Sequence, residues 1–249
     1  MVRARLEEIG LAMALLTRLP LPRLHDSAFA RQATSAWAWP LAGLMVGALG
    51  ALAGLGAVAL GLPVSVAALI ALAVQMITTG AMHEDGLADT VDGLWGGWTR
   101  DRRLEIMKDS HIGTYGVLAL IVSAGLRWSV LAGLLTLGAG PVVAIAVLSR
   151  ASMPALMAAL PNARGDGLAH KVGAPPLWAV LGAVGLSLAI AFVAIGLSAL
   201  PATLAGLAGA SLLGWIAWRK IGGQTGDILG ASQQITEILA GLTLLILAM

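Results

Sequence analysis

The sequence predicts an all-α, polytopic integral membrane protein, and three observations carry that prediction. Among 249 residues only 15 side chains are basic and 13 acidic, while the hydrophobic class makes up 58% and 32 glycines come on top of it. Soluble domains are charged at about a quarter of their positions, so too little polar side chain is present here to cover a globule in water. The second observation is distribution. Residues 32–82, 128–149 and 172–218 contain no Asp, Glu, Lys or Arg, and a spanning helix needs about 20 apolar residues. Third, the remaining charge is concentrated between these stretches and is missing from their interiors.

Taken in order, residues 1–35 form an amino-terminal arm with Arg3, Arg5, Arg18, Arg23 and Arg31. Glu7 and Glu8 interrupt its apolar run and no small-residue cleavage site follows, so a short amphipathic or membrane-dipping helix fits better than a signal peptide. A first hairpin is expected over 36–60 and 63–82, broken at Gly61 and Pro63. A second follows over 113–137 and 142–160, with Gly138, Gly140 and Pro141 at its turn. The third covers 175–198 and 202–218 and places Pro201 at the break. Residues 228–249 complete about seven passes as three hairpins plus a carboxy-terminal helix. No repeat or linker divides the chain, so 1–249 reads as one membrane-embedded domain. Gly43, Gly47, Gly50 and Gly54 suit close helix packing in lipid.

The connecting segments 83–112, 161–174 and 219–227 hold Arg100, Arg102, Arg103, Lys108, Arg164, Lys171, Arg219 and Lys220, whereas the hairpin turns hold no charge. Basic short loops mark the cytoplasmic side, so the amino end is expected inside and the carboxyl end outside. With no cysteine, disulfides, thiolate zinc sites and cysteine nucleophiles are excluded. A formal net charge of +2 is too small to argue for nucleic acid as a partner.

One segment departs from this pattern. Seven of the 13 acidic residues lie within 84–109, starting with His83-Glu84-Asp85-Gly86-Leu87-Ala88-Asp89-Thr90-Val91-Asp92-Gly93. On a helix Asp85, Asp89 and Asp92 fall at i, i+4 and i+7 and share one face. Like charges on one stripe repel unless a cation sits on them, and carboxylate oxygens suit Mg²⁺ or Mn²⁺. Since Mg²⁺ keeps substrate phosphates in its shell, transfer from an activated diphosphate is the chemistry this predicts. Downstream, Ile106-Met107-Lys108-Asp109-Ser110-His111-Ile112-Gly113-Thr114-Tyr115-Gly116 supplies a cation for a phosphate oxygen and glycines where the chain re-enters lipid. The plain alternatives are a solvated acidic loop, a topological anchor at Lys108 and an interfacial belt role for Tyr115.

The last connecting segment has similar chemistry. Gly222-Gly223-Gln224-Thr225-Gly226-Asp227-Ile228-Leu229-Gly230-Ala231 sets one carboxylate among glycines at a helix mouth. Gly222, Gly226 and Gly230 also fit a small-residue packing motif. Glu237 follows within the span, where a carboxylate is costly enough to be a functional candidate. Arg127, Arg150 and Arg164 either grip an anion or snorkel to headgroups.

The two acidic runs, together with Arg103-Leu104, the 106–116 stretch and Gly223–Ala231, resemble the signatures of the cobalamin synthase (adenosylcobinamide-GDP ribazoletransferase) family. The opening Leu15-Leu16-Thr17-Arg18-Leu19-Pro20 is similar too, more loosely, and the segment around Arg150 and Arg164 matches loosely. This resemblance implies a multi-pass inner-membrane enzyme, its active site facing the cytoplasm. It would join adenosylcobinamide-GDP to α-ribazole or its 5′-phosphate and release GMP, with Mg²⁺ as cofactor. Glu84, Asp85, Asp89, Asp92 and Asp227 are then the expected metal ligands. Asp85, Asp89, Asp92 and His83 are the expected catalytic groups, with the general base left open among them. Lys108, Asp109, Arg150, Arg164, Thr225, Gly226 and Glu237 are the expected substrate-binding groups. The expected partners are those substrates and the lipid bilayer, with homo-oligomerisation left open.

Two rival classes stand beside this one. CDP-alcohol phosphotransferases and aromatic prenyltransferases also set aspartates at helical spacing beside spanning helices. The former are expected to show Asp-Gly-x-x-Ala-Arg, whereas Ala88 is followed here by Asp89, and the latter a second aspartate-rich run in place of the lone Asp227. A cation-coupled transporter would place its acidic residues at mid-membrane.

Overall fold

The computed structural model describes residues 2–249, and among them helices account for nearly all regular structure, with no strand. α1 (Val2–Leu16) is followed by two short 3₁₀ turns, Asp26–Arg31 and Thr34–Ala38. α2 (Trp39–Ala59) and α3 (Val64–Thr79) make the first hairpin, with Gly61 in the left-handed region at its turn. α4 (Met82–Gly96) and α5 (Arg100–Ile106) occupy the first charged segment. α6 (Thr114–Thr136) and α7 (Ala139–Ala159) form the second hairpin, and α8 (Gly167–Val172) lies in the middle connection. α9 (Leu177–Ile195), α10 (Ala199–Ile221) and α11 (Gly226–Leu247) follow.

By length and composition five helical segments can cross a membrane, or six when the bent α3–α4 pair counts as one span. The sequence expectation of about seven passes differs for two reasons. α3 has only 16 residues, and Leu177–Ile221 counts as one 45-residue segment although Gly196, with φ 60°, separates α9 from α10 within it. That third turn lies at Gly196–Ser198 and not at Pro201. Pro201 sits in the first turn of α10, where its missing N–H breaks no helical hydrogen bond.

α7 and α11 are the enclosed helices of the bundle, flanked by α2, α9 and α10, while Leu52, Ile77, Val193 and Leu204 point outward. Small residues set the closeness of α2 and α7: a Cβ on Gly47 would stand 2.9 Å from the Ala146 side chain, and one on Gly43 would strike the Ala146 carbonyl. Gly50 and Gly54 likewise face Gln75 and Leu135, so this glycine series is a packing surface. The second series divides. Gly230 meets the His83 backbone at 3.3 Å, but Gly222 is a left-handed helix cap and Gly226 faces open space near Ala169.

The amino-terminal arm is built into the fold. α1 buries Leu11, Ala12, Met13 and Leu16, and Ala12, Met13 and Leu16 share an apolar cluster with Trp39, Met153, Met157 and Leu229. Glu8 accepts hydrogen bonds from Trp37 Nε1 (2.7 Å) and Arg5 Nη1 (2.8 Å), and Glu7 pairs with Arg31 at 2.7 Å.

The corner between α3 and α4 positions the site. Gly80 (φ 66°) and Ala81 (φ 55°) are both left-handed, and together they turn the chain by 87°. Ala81 is the one described non-glycine residue with positive φ, a conformation that costs an L-residue about 1–2 kcal/mol. α4 therefore does not continue α3 but runs across the bundle end, packed on α11 and α6.

Candidate active site

α4 lays Asp85, Asp89 and Asp92 along one stripe, as the i, i+4, i+7 spacing requires. Asp85 is exposed, Asp89 half-buried and Asp92 buried. Asp227 opens α11, and the two helices meet at Gly86, where an added Cβ would lie 3.0 Å from the Asp227 carbonyl oxygen. Burial, then the charges of Asp227 and Asp85, push the Asp89 carboxyl up to about 7, with Arg164 pulling the other way. These four groups, drawn from three separate segments, form one electrostatic unit at the mouth of the bundle.

Arg164 reaches this mouth because its loop is stitched to the last turn. Ala163 N–H donates to Gln224 O and Gln224 N–H to Pro161 O, each at 2.8 Å. Arg164 Nη2 then lies 2.8 Å from Asp227 Oδ2 as an ion pair, while neither its Nε nor its Nη2 has a partner in hydrogen-bond geometry. Thr225 caps α11, its Oγ1 accepting from Ile228 N–H at 3.3 Å and donating to Asp227 Oδ2 at 3.2 Å. Thr225 thus fixes Asp227 at the rim, and Gly226 between them is exposed. Lys108 pairs with Asp166 at 2.7 Å, tying the α5–α6 loop to the Arg164 loop, and both groups remain exposed. Asp109 pairs with His111 at 2.6 Å on the surface, a local loop contact outside the acid cluster.

Other expected site residues lie elsewhere. Asp92 accepts N–H donors from Gly113 (2.7 Å) and Gly116 (2.8 Å), one on each carboxylate oxygen, so in place of an open ligand it is the cap of α6. A Cβ on either glycine would run into that carboxylate, which explains the glycines where the chain re-enters lipid. Glu84 corrects the metal-ligand expectation: about 100° around α4 from Asp85, it points into the bundle and pairs with Arg127. His83 is buried against α11 on the side of α4 opposite the aspartates, away from any proton the acid mouth could release.

Arg150 and Glu237 also differ from their expected substrate-binding roles. Arg150 Nη1 donates to Glu237 Oε2 at 3.0 Å, and Arg127 Nη2 to Glu237 Oε1 at 3.0 Å. Gln75 accepts from Arg127 at 3.2 Å, Gln234 donates to Glu84 at 3.2 Å, and Gln233 donates to Ser149 at 3.0 Å. Two arginines and two glutamates thus neutralise one another inside the bundle and join α3, α4, α6, α7 and α11. The arginines neither snorkel nor face the mouth. Gln75, Gln233 and Gln234 were legible only as uncharged polar residues inside apolar spans.

The basic residues that mark one side also bind backbone. Arg100 donates to Ile221 O (2.9 Å) and Ala163 O (2.7 Å), Arg103 to Lys220 O (3.0 Å), and Lys220 to Leu94 O (2.7 Å). They satisfy free carbonyls at the ends of α10 and α4 and lock α4 and α5 over the bundle. Among the described residues no group of three or more His, Asp or Glu side chains is placed to hold a metal ion.

The family model described as cobalamin-5-phosphate synthase matches residues 8–245. The chain belongs to the cobalamin-5-phosphate synthase family. Relatives named adenosylcobinamide-GDP ribazoletransferase include one from Bradyrhizobium diazoefficiens, 48% identical over 95% of this chain and 92% of its own length. Others are from Azorhizobium caulinodans, 44% identical over 94% of this chain and 93% of the relative, and from Mesorhizobium japonicum, 43% over 95% and 92%. No solved structure matches. In this cobalamin-5-phosphate synthase family member, the two acidic runs fold as α4 and the start of α11 and pack on each other at Gly86 and Gly230.

Proposed function

We propose that this chain is an adenosylcobinamide-GDP ribazoletransferase of the inner membrane, working at its cytoplasmic face. The observation that carries the reading is the gathering of Asp85, Asp89, Asp227 and Arg164 at one mouth of a helical bundle. The names of its relatives supply the substrates. Acceptors are α-ribazole or its 5′-phosphate, and the products are GMP and the joined cobalamin.

The donor set suits Mg²⁺. Burial and the charges of Asp227 and Asp85 raise the Asp89 carboxyl although Arg164 opposes them, so the mouth has room for a further cation, and Mg²⁺ takes one or two carboxylates with phosphate oxygens completing its shell. One or two of Asp85, Asp89 and Asp227 would hold the ion, which when bound would neutralise charge on the diphosphate and the departing GMP. Arg164 turns its guanidinium from Asp227 to a phosphate oxygen, and Lys108 steadies another. A hydroxyl oxygen of the acceptor forms a bond to the phosphorus attached to the cobinamide arm. The bond from that phosphorus to the bridging oxygen breaks, GMP leaves with the bridging oxygen, and a carboxylate of the mouth takes the hydroxyl proton.

The test is to supply the vesicle-reconstituted protein with adenosylcobinamide-GDP and each acceptor in turn, with Mg²⁺ or with a chelator. Equal amounts of GMP and joined product, lost on chelation and restored by Mg²⁺, support the reading. No GMP release with either acceptor refutes it, and release that ignores the chelator refutes the metal assignment.

A further inference from the structure

A cavity of about 250 Å³ opens between α1, the first 3₁₀ turn, the α3–α4 corner and α8. Its wall is largely apolar, with Leu15, Phe29, Met82 and Leu168 on it, and it carries one charged side chain, Arg18. The fold holds Arg18 in place. Its N–H donates to Thr78 O at 2.7 Å, and its stem lies on Gly80, where an added Cβ would stand 2.8 Å from Arg18 Cγ and Nε. Arg3, Arg5 and Arg31 of the same arm pair with Glu7 or Glu8, whereas among the described residues no carboxylate pairs with Arg18. The hydroxyls on the wall are already committed, Thr17 to Met13 O at 2.7 Å and Thr79 to Gln75 O at 3.1 Å. Arg18 is thus a positioned guanidinium with its donors free at an apolar recess, and phosphate oxygens are the partners that match its fork.

The cavity is joined to the acid mouth through α4. Met82, on its wall, opens that helix, and Asp85 and Asp89 follow at i+3 and i+7. At 3.6 residues per turn they fall about 60° and about 20° around the helix from Met82, so the cavity lies at the amino end of the aspartate stripe.

We infer that Arg18 seats the 5′-phosphate of the acceptor in this cavity and so makes the phosphorylated acceptor the preferred one. The inference rests on the ribazoletransferase reading and adds a specificity-determining residue to it. An acceptor held there by its phosphate extends along the stripe toward Asp85 and Asp89, where its hydroxyl must arrive. Two phosphate-bearing substrates repel each other at close range, so each needs a cation of its own. Arg164 and Lys108, from the middle connection and the α5–α6 loop, serve the diphosphate, and Arg18, from the amino-terminal arm, serves the acceptor. The volume falls just below the roughly 300 Å³ at which small-molecule pockets begin, which suits one end of a ligand whose remainder reaches the mouth.

The experiment uses the full protein in vesicles and compares kcat/KM for α-ribazole 5′-phosphate with that for α-ribazole. A lipid headgroup offers the same phosphate chemistry, so vesicles of phosphatidylcholine alone and with phosphatidylglycerol are both used. The unaltered enzyme should favour the phosphorylated acceptor, and Arg18→Gln should cut that preference at least about tenfold through KM, in both lipids, the worth of a charge-assisted contact. Arg18→Lys should keep part of it. On the unaltered enzyme, ribose 5-phosphate should compete with α-ribazole 5′-phosphate and not with adenosylcobinamide-GDP, a readout that does not depend on any variant folding. No preference in the unaltered enzyme, an equal loss for both acceptors in Arg18→Gln, a loss seen only with phosphatidylglycerol, or competition with the donor overturns the assignment of Arg18 alone. An unaltered protein that releases no GMP with either acceptor overturns the transferase reading and the inference with it.

Discussion

Arg164 Nη2 stands 2.8 Å from Asp227 Oδ2, a contact between the middle connection and the mouth of the last helix. Asp227 feels Asp85 and Asp89 from the other side, so Arg164 holds a place that substrate phosphates and a metal would compete for. The acid mouth is therefore a balance of charges assembled from three segments.

Asp89→Asn and Asp227→Asn should each nearly abolish product formation while the protein stays inserted and folded. The double variant should be little worse than either single one, because groups that act as one unit are not additive. Turnover in vesicles, with thermal unfolding as the folding control, measures this. Near-normal activity of Asp227→Asn would separate the last loop from the chemistry.

Lys108→Ala should slow turnover at least tenfold, as expected for losing a charge-assisted contact worth about 1.5–3 kcal/mol. Lys171→Ala should change it little, since Lys171 lies exposed on α8. Asp166→Asn removes the partner of Lys108 without removing the cation and should be milder than Lys108→Ala. Equal small losses for both lysines would make Lys108 a topological anchor only.

Arg127→Met should destabilise the protein by about 3–5 kcal/mol, because it leaves buried Glu84 and Glu237 without their shared counter-charge. Thermal unfolding in detergent reads the loss. Arg127→Met combined with Glu84→Gln should recover part of it. A single variant as stable as the parent would mean that the buried network does not hold α4 in place.

Reporter fusions after Arg100, Arg164 and Lys220 should report a cytoplasmic position, and fusions near Gly61, Gly138 and Leu197 the opposite side. The geometry allows no exception within the first set, since Arg100 binds both Ala163 and Ile221. A split result for these three would contradict the single mouth.

What the sequence determined by itself follows from local and periodic physics. Charge-free stretches specified apolar helices, basic connections specified their common side, and the 85, 89, 92 spacing specified a shared face once that segment was helical. Glycines beside Asp227 marked a place of close approach. The partner of each charge was decided only in the tertiary structure, because pairing depends on how helices rotate about their axes and which neighbours they meet. Glu84 adjoins Asp85 in sequence, yet one step around the helix turns it from the mouth into the bundle, where Arg127 waits. Asp92 shares the acidic stripe but is taken by two backbone N–H groups more than 20 residues away. Arg150 and Glu237 could be read as substrate groups until folding placed them 3.0 Å apart. The corner at Gly80 and Ala81 is the clearest case. Ala81 has no sequence preference for a left-handed backbone, and packing of α4 on α11 and α6 is what holds it there and lays the acid face across the mouth.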